Sequence, residues 1–170
     1  AMVTCCVCGT TPKQMNQLEL IRRRPESTEA LKLGLSPLHA RIKTMECVLH
    51  ISYRLNLEIP QWRVNADTRS QVEKREKEIQ KDLKERLGIK VGTVKSGYGS
   101  TNDGNTARRF FRDVGTAARI TGFDETLLRR LSVVLEIVNY NIPINIPKFA
   151  EYCQQCAQLY VELYSWYYMP

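Results

Sequence analysis

The sequence predicts an all-α protein, an irregular helical domain led by a cysteine turn and a basic arm. Three observations predict it: apolar residues recur at helical spacing through most of the chain, no segment keeps a period of two, and cap residues punctuate the apolar runs. The one alternating stretch, Ile142-Pro143-Ile144-Asn145-Ile146, contains a proline, so it is expected to form a short extended linker.

Taken in order, residues 1–24 read as a cysteine turn followed by a basic arm, because Cys5 to Pro12 has no apolar period and Arg22-Arg23-Arg24 stops at Pro25. Residues 25–170 form the expected helical domain. Pro25 opens a short helix that Gly34 closes. Ser36 and Pro37 are an N-cap and first helical residue, and Leu38, Ile42, Met45, Leu49 and Tyr53 then place a helix over about 37–55. A second helix, over about 68–87, carries Val72, Ile79, Leu83 and Leu87 among seven cations and, with the leading Asp67, six carboxylates, and Gly88 stops it. Its charges read as a solvated face with i,i+4 pairs or as a contact for a partner helix.

The segment 88–104 holds five of the nine glycines and is read as an exposed Gly-rich loop. Helical signals resume over 105–112 and 115–121, then from Asp124 as N-cap through Val138, and from Asn145 with Pro147 onward. The last helix has Phe149, Cys153, Cys156, Tyr160 and Leu163 on one face. The aromatic run from Tyr164 to Tyr168 is expected to require burial against further chain, as if the sequence were cut there.

Composition narrows function. No stretch approaches the roughly 18 uninterrupted apolar residues of a membrane span, so no membrane partner is expected. The start shows no targeting signal, and Ala1-Met2 reads as a cloning remnant. Six cysteines among long helical patterns do not resemble a small disulfide scaffold, which leaves reduced thiols or metal ligands. A net charge of +7 and a pI near 9.2 suit a polyanion-binding protein. Between Arg86 and Arg119 seven cations, Lys95 among them, stand against two carboxylates, a local net of +5.

Within that stretch, Asn102 to Arg109 runs from loop into helix start with two adjacent arginines. Free N–H groups, a positive helix end and Arg108 and Arg109 together suit phosphate; a solvated basic face is the plainer reading. Cys5-x-x-Cys8 before Gly9 has the local spacing of half a tetrahedral zinc site, or is a pair of simple thiols. Cys153 and Cys156 fall three apart on an apolar helix face, where cysteine packs as a small hydrophobe. His39 and His50 stand about 16 Å apart along one helix and cannot act as a pair; each reads by default as a hydrogen-bonded core histidine. No Ser/His/Asp array, phosphate-cradling glycine motif or paired carboxylates appear, so no catalytic machinery is expected in this segment.

Four features in this order resemble the Transib transposases and their relative, the catalytic subunit of the V(D)J recombinase. They are Val3-Thr-Cys-Cys-Val-Cys8, Pro37-Leu-His-Ala-Arg-Ile42, the Glu/Lys helix ending Arg86-Leu87-Gly88, and Gly104-Asn-Thr-Ala-Arg-Arg109. The ending Leu163-Tyr-Ser-Trp-Tyr-Tyr-Met-Pro170 is also similar to Transib-type sequence. The resemblance implies a DNA-binding helical insertion of a nuclear, homodimeric DDE enzyme. Two Asp before this segment and a Glu after it would hold Mg²⁺ or Mn²⁺ for nicking and strand transfer. It implies that Cys5 and Cys8 are two of four zinc ligands, the others being two histidines beyond Pro170. It carries a DNA role onto Asn105, Arg108 and Arg109 and places His39 near the cleavage site; Lys95 joins the expected DNA contacts as a cation of the basic loop. Cys6, Cys153 and Cys156 depart from the family pattern. A helical protein-docking module and a self-contained four-cysteine zinc protein are the alternative readings.

Overall fold

The computed structural model describes residues 4–32, 34, 36–59, 65–92, 102–140 and 142–168. Among them are eight α-helices and no strand: α1 (Leu18–Arg22), α2 (Thr28–Lys32), α3 (Pro37–Ser52), α4 (Ala66–Leu87), α5 (Gly104–Arg112), α6 (Val114–Thr121), α7 (Glu125–Asn139) and α8 (Ile146–Tyr164). The all-α class is therefore correct. No helix among the described residues is long and apolar enough to cross a membrane. Lys95 and most of the Gly-rich segment, with Gly97 and Gly99, lie outside the described residues.

The helices form two compact units, Pro37–Ile142 and the combination of Ala1–Ser36 with Pro143–Pro170. This partition differs from the expected boundary at residue 24, because the N-terminal stretch packs with the C-terminal helix instead of standing off as an arm.

In the unit Pro37–Ile142, α3 is central and packs on α5, α6 and α7, while α4 packs on α6. Met45, Val48, Leu49 and Ile51 of α3, Ile79 and Leu83 of α4, Phe110 of α5, Ala117 of α6 and Leu127 and Leu128 of α7 belong to a core in which each of them is at most 2% exposed. Helix starts follow local chemistry. Asn65 caps α4 in a reciprocal box with Thr68, its Oδ1 accepting from Thr68 N at 2.8 Å and its own N donating to Thr68 Oγ1 at 3.0 Å. Asp103, Asp113 and Asp124 cap α5, α6 and α7. Gly88 and Gly122, at φ +63 and +74, close α4 and α6 in the left-handed conformation that a Cβ disfavours. α3 ends at Ser52, three residues before the expected limit. Tight turns follow, with Arg54 N donating to the Ile51 carbonyl and Leu57 N to the Arg54 carbonyl, and Glu58 takes a positive φ of 47.

In the second unit, the turn at Pro12–Gln14 and α1 give structure to what reads in the sequence as an arm. Asn16 donates from Nδ2 to the carbonyls of Ser165 and Tyr167, both at 3.1 Å. Tyr160 donates from its hydroxyl to the Tyr167 carbonyl at 3.2 Å, and Tyr160, Tyr164 and Tyr167 are all buried. The aromatic run thus buries much of itself within this unit, Tyr164 and Tyr167 each meeting Trp166 edge-on. Asn145 caps α8, accepting from Lys148 N at 3.1 Å.

Candidate nucleic-acid interface

α5 has two unlike faces. Ala107, Phe110 and Phe111 are buried against the core, whereas Asn105, Arg108, Arg109 and Arg112 are exposed. At about 100° per residue the four exposed positions fall within roughly 100° of the helix circumference, so Asn105 and three guanidinium groups share one stripe. The sequence reading singles out Asn105, Arg108 and Arg109. Arg112, one turn further on, completes the stripe and follows from the same periodicity.

The three arginines are not equivalent. Arg108 donates from Nη1 to Asn105 Oδ1 at 3.4 Å, a contact within the stripe. Arg112 makes no ion pair among the described residues. Arg109 instead donates from Nη2 to the carbonyl of Leu87, the last residue of α4, at 2.8 Å. Exposed Arg86 and Lys90 flank that point, so the basic stripe of α5 continues onto the end of α4.

The start of α5 is closed by its own carboxylate. Asp103 accepts from Thr106 N at 2.7 Å, and the Thr106 N–H, then the Thr106 hydroxyl, hold its carboxyl below the usual range. The free helix start expected to attract phosphate is thus filled by Asp103, and the cationic side chains carry what affinity the stripe has. Gly104 allows a close approach. A Cβ there would overlap Leu38 Cδ1, so the first turn of α3 packs on the first turn of α5. His39, next to Leu38, is exposed and not the core histidine expected by default. His50 is buried on the same helix, as a core histidine is expected to be.

Behind the stripe lies a buried polar pair. Glu46 on α3 accepts from Asn102 Nδ2 at 3.2 Å, and Asn102 Oδ1 accepts from Gly92 N at 2.8 Å; Glu46 is 4% exposed and Asn102 7%. Lys43 Nζ reaches the other Glu46 oxygen at 3.0 Å. One asparagine therefore ties the residue entering α5 to the chain leaving α4.

The cysteine turn lies in the other unit. Gly9 N donates to the Cys5 carbonyl at 2.8 Å and Cys5 N to the Thr10 carbonyl at 2.9 Å, with Gly9 at φ +64, so the chain doubles back between the two cysteines and Thr10. Cys8 Sγ lies 3.0 Å from the buried Thr10 hydroxyl. That hydroxyl, then the Thr10 backbone, the Cys5 thiol and the Arg24 charge lower the Cys8 thiol against a smaller desolvation. Arg24, read in the sequence as part of the basic arm, turns inward: its guanidinium donates to the Cys8 carbonyl at 3.4 Å and to Gln14 Oε1 at 3.1 Å. Among the described residues no three His, Cys, Asp or Glu side chains gather in a way that could hold a metal. Two thiols at one turn fit half of a tetrahedral zinc shell, and Cys153 and Cys156 on α8 do not complete it. Cys156 is buried, and burial raises the half-buried Cys153 thiol, both in keeping with packing.

Comparison with protein-family models finds no match, and comparison with curated proteins finds none.

Proposed function

We propose that this chain is a DNA-binding helical segment of a DDE-type cut-and-paste transposase or recombinase of the Transib kind, and that α5 contacts duplex DNA. The single observation that supports the reading most is the exposed stripe Asn105, Arg108, Arg109 and Arg112 on a helix whose other face is locked into the core. Guanidinium groups bind phosphate oxygens in charge-assisted pairs, and a rigid helix holds several of them at once. On this reading the catalytic carboxylates with their Mg²⁺ or Mn²⁺ belong to other parts of a nuclear, homodimeric enzyme. The segment binds and positions DNA without cutting it. Zinc, where bound, would take Cys5 and Cys8 and two donors from outside the described residues; its chemistry there is structural, tying this turn to another part of the parent chain.

The competing docking module relies on the aromatic end and the charged helix α4, and at the aromatic end Tyr160, Tyr164 and Tyr167 are buried. The four-cysteine zinc protein relies on Cys153 and Cys156, which do not gather with Cys5 and Cys8.

The test is fluorescence anisotropy of the purified chain with a labelled duplex over a salt series. Arg108→Ala with Arg112→Ala should weaken binding and reduce the salt slope by about 0.9 for each phosphate no longer neutralised. Arg69→Ala, exposed at the far end of α4, should leave both unchanged. An unaltered slope in the double variant rules the assignment out.

A further inference from the structure

We infer that Arg109 is a positioning residue and not a phosphate ligand: with Gly88 it locks the C-terminal end of α4 beside the basic stripe of α5. The inference rests on the DNA reading for its functional meaning and departs from the equal treatment of Arg108 and Arg109 that the sequence invites.

A helix leaves its last carbonyls without partners and carries partial negative charge at that end. Arg109 meets both needs at α4, donating from Nη2 to the Leu87 carbonyl at 2.8 Å. The next residue, Gly88, has φ +63, and a Cβ built on it would come within 2.7 Å of the same Nη2. The backbone conformation favours glycine there, and a side chain would push the guanidinium end aside from the Leu87 carbonyl. A phosphate that drew Arg109 away would break a charge-assisted bond and take this donor from the Leu87 carbonyl. Among the described residues Arg108 has its 3.4 Å contact with Asn105 to give up and Arg112 has no ion pair. The stripe thus divides into arginines available to phosphate and one that holds the frame. Exposed Arg86 and Lys90 stand on either side of that frame, so their place beside α5 depends on it.

The experiment uses the full chain and the same labelled duplex, with urea denaturation alongside. Arg108→Ala should lower the salt slope by about 0.9. Arg109→Ala should leave the slope unchanged, raise Kd roughly fivefold at every salt concentration, and lower the urea midpoint, as expected when a capping bond is removed. Arg109→Lys, which can still donate to the Leu87 carbonyl from Nζ, should recover part of the midpoint; it carries the comparison if the alanine variant does not fold. Gly88→Ala should lower the midpoint as Arg109→Ala does, and the two changes together should cost less than their sum, because both break one hydrogen bond. A slope reduced in Arg109→Ala as in Arg108→Ala, with an unchanged urea midpoint, overturns the inference and leaves the DNA reading in place. A wild-type chain with no salt-dependent DNA binding overturns both.

Discussion

Arg75 donates from its Nη2 to the carbonyl of Thr121 at 3.0 Å, joining the middle of α4 to the last residue of α6. Its Nε also donates, at 2.6 Å, to the carbonyl of Ser52, the last residue of α3. One guanidinium therefore serves the C-terminal ends of two helices at once, and both accepting residues are fully buried. Arg75→Ala should destabilise the chain by about 3 kcal/mol, since two buried carbonyls lose a charged donor. Arg75→Lys, unable to span both with a planar fork, should fall between. Urea denaturation at neutral pH measures the difference; a wild-type midpoint in the alanine variant would show that the two carbonyls are satisfied in another way.

The capped helix starts were legible because their chemistry is local. Asp124, Asn145, Gly88 and Gly122 act within a few residues of themselves, and each closes or opens the helix expected of it. Arg75 was not legible. It is one of seven cations on α4, and its partners are backbone carbonyls far along the chain, which leave no signature in residue type. Arg24 and Asn16 were hidden for the same reason, so the N-terminal stretch read as an arm. Helix α1 is five residues long and has no side-chain cap. At the candidate interface the cluster of Asn105, Arg108 and Arg109 was visible in the sequence. The separate task of Arg109 was not, because it needs the position of the Leu87 carbonyl.

Asn102 offers a second test of packing behind the stripe. Asn102→Ala removes the donor to Glu46 and the acceptor for Gly92 N, and should cost about 2 kcal/mol. Asn102→Asp should cost more at neutral pH, because it sets a second carboxylate against buried Glu46 and keeps no side-chain donor. Thermal or urea unfolding of the two variants gives the ranking. An aspartate variant as stable as the wild type would mean that the Asn102–Glu46 bond contributes nothing.

The carboxylate caps of α5 and α6 predict an acid limb. Asp103 and Asp113 both sit below the ordinary carboxylate value of 3.8, chiefly through the backbone N–H groups of Thr106 and Thr116. A carboxyl lowered on folding adds stability that is fully present above its unfolded value and is lost as pH falls through its folded value. The urea midpoint should therefore drop as pH falls from about 5 towards 2. Asp103→Asn with Asp113→Asn keeps acceptors at both caps without a titrating charge, so its midpoint should fall less steeply over that range. Parallel curves for variant and wild type would assign the acid limb to other groups.

Cys8 provides a pH test of the cysteine turn that does not depend on metal. The Thr10 hydroxyl, with the Thr10 backbone and then Cys5 and Arg24, holds the Cys8 thiol below its ordinary value of 9.0. An acid lowered in this way contributes stability that is fully present above 9.0 and is lost as pH falls through the lowered value. The thiolate is also the nucleophile and the metal-binding form. The rate of Cys8 alkylation by iodoacetamide, followed by peptide mass mapping, should thus inflect below pH 9.0. Thr10→Val keeps the shape of a fully buried side chain but removes the hydroxyl 3.0 Å from Cys8 Sγ, and should move the inflection upward. Unfolding the chain in urea should move it upward as well, since the turn that gathers Thr10, Cys5 and Arg24 then comes apart. If Thr10→Val leaves the inflection in place while urea shifts it, the backbone and Arg24 hold the thiolate and the hydroxyl does not.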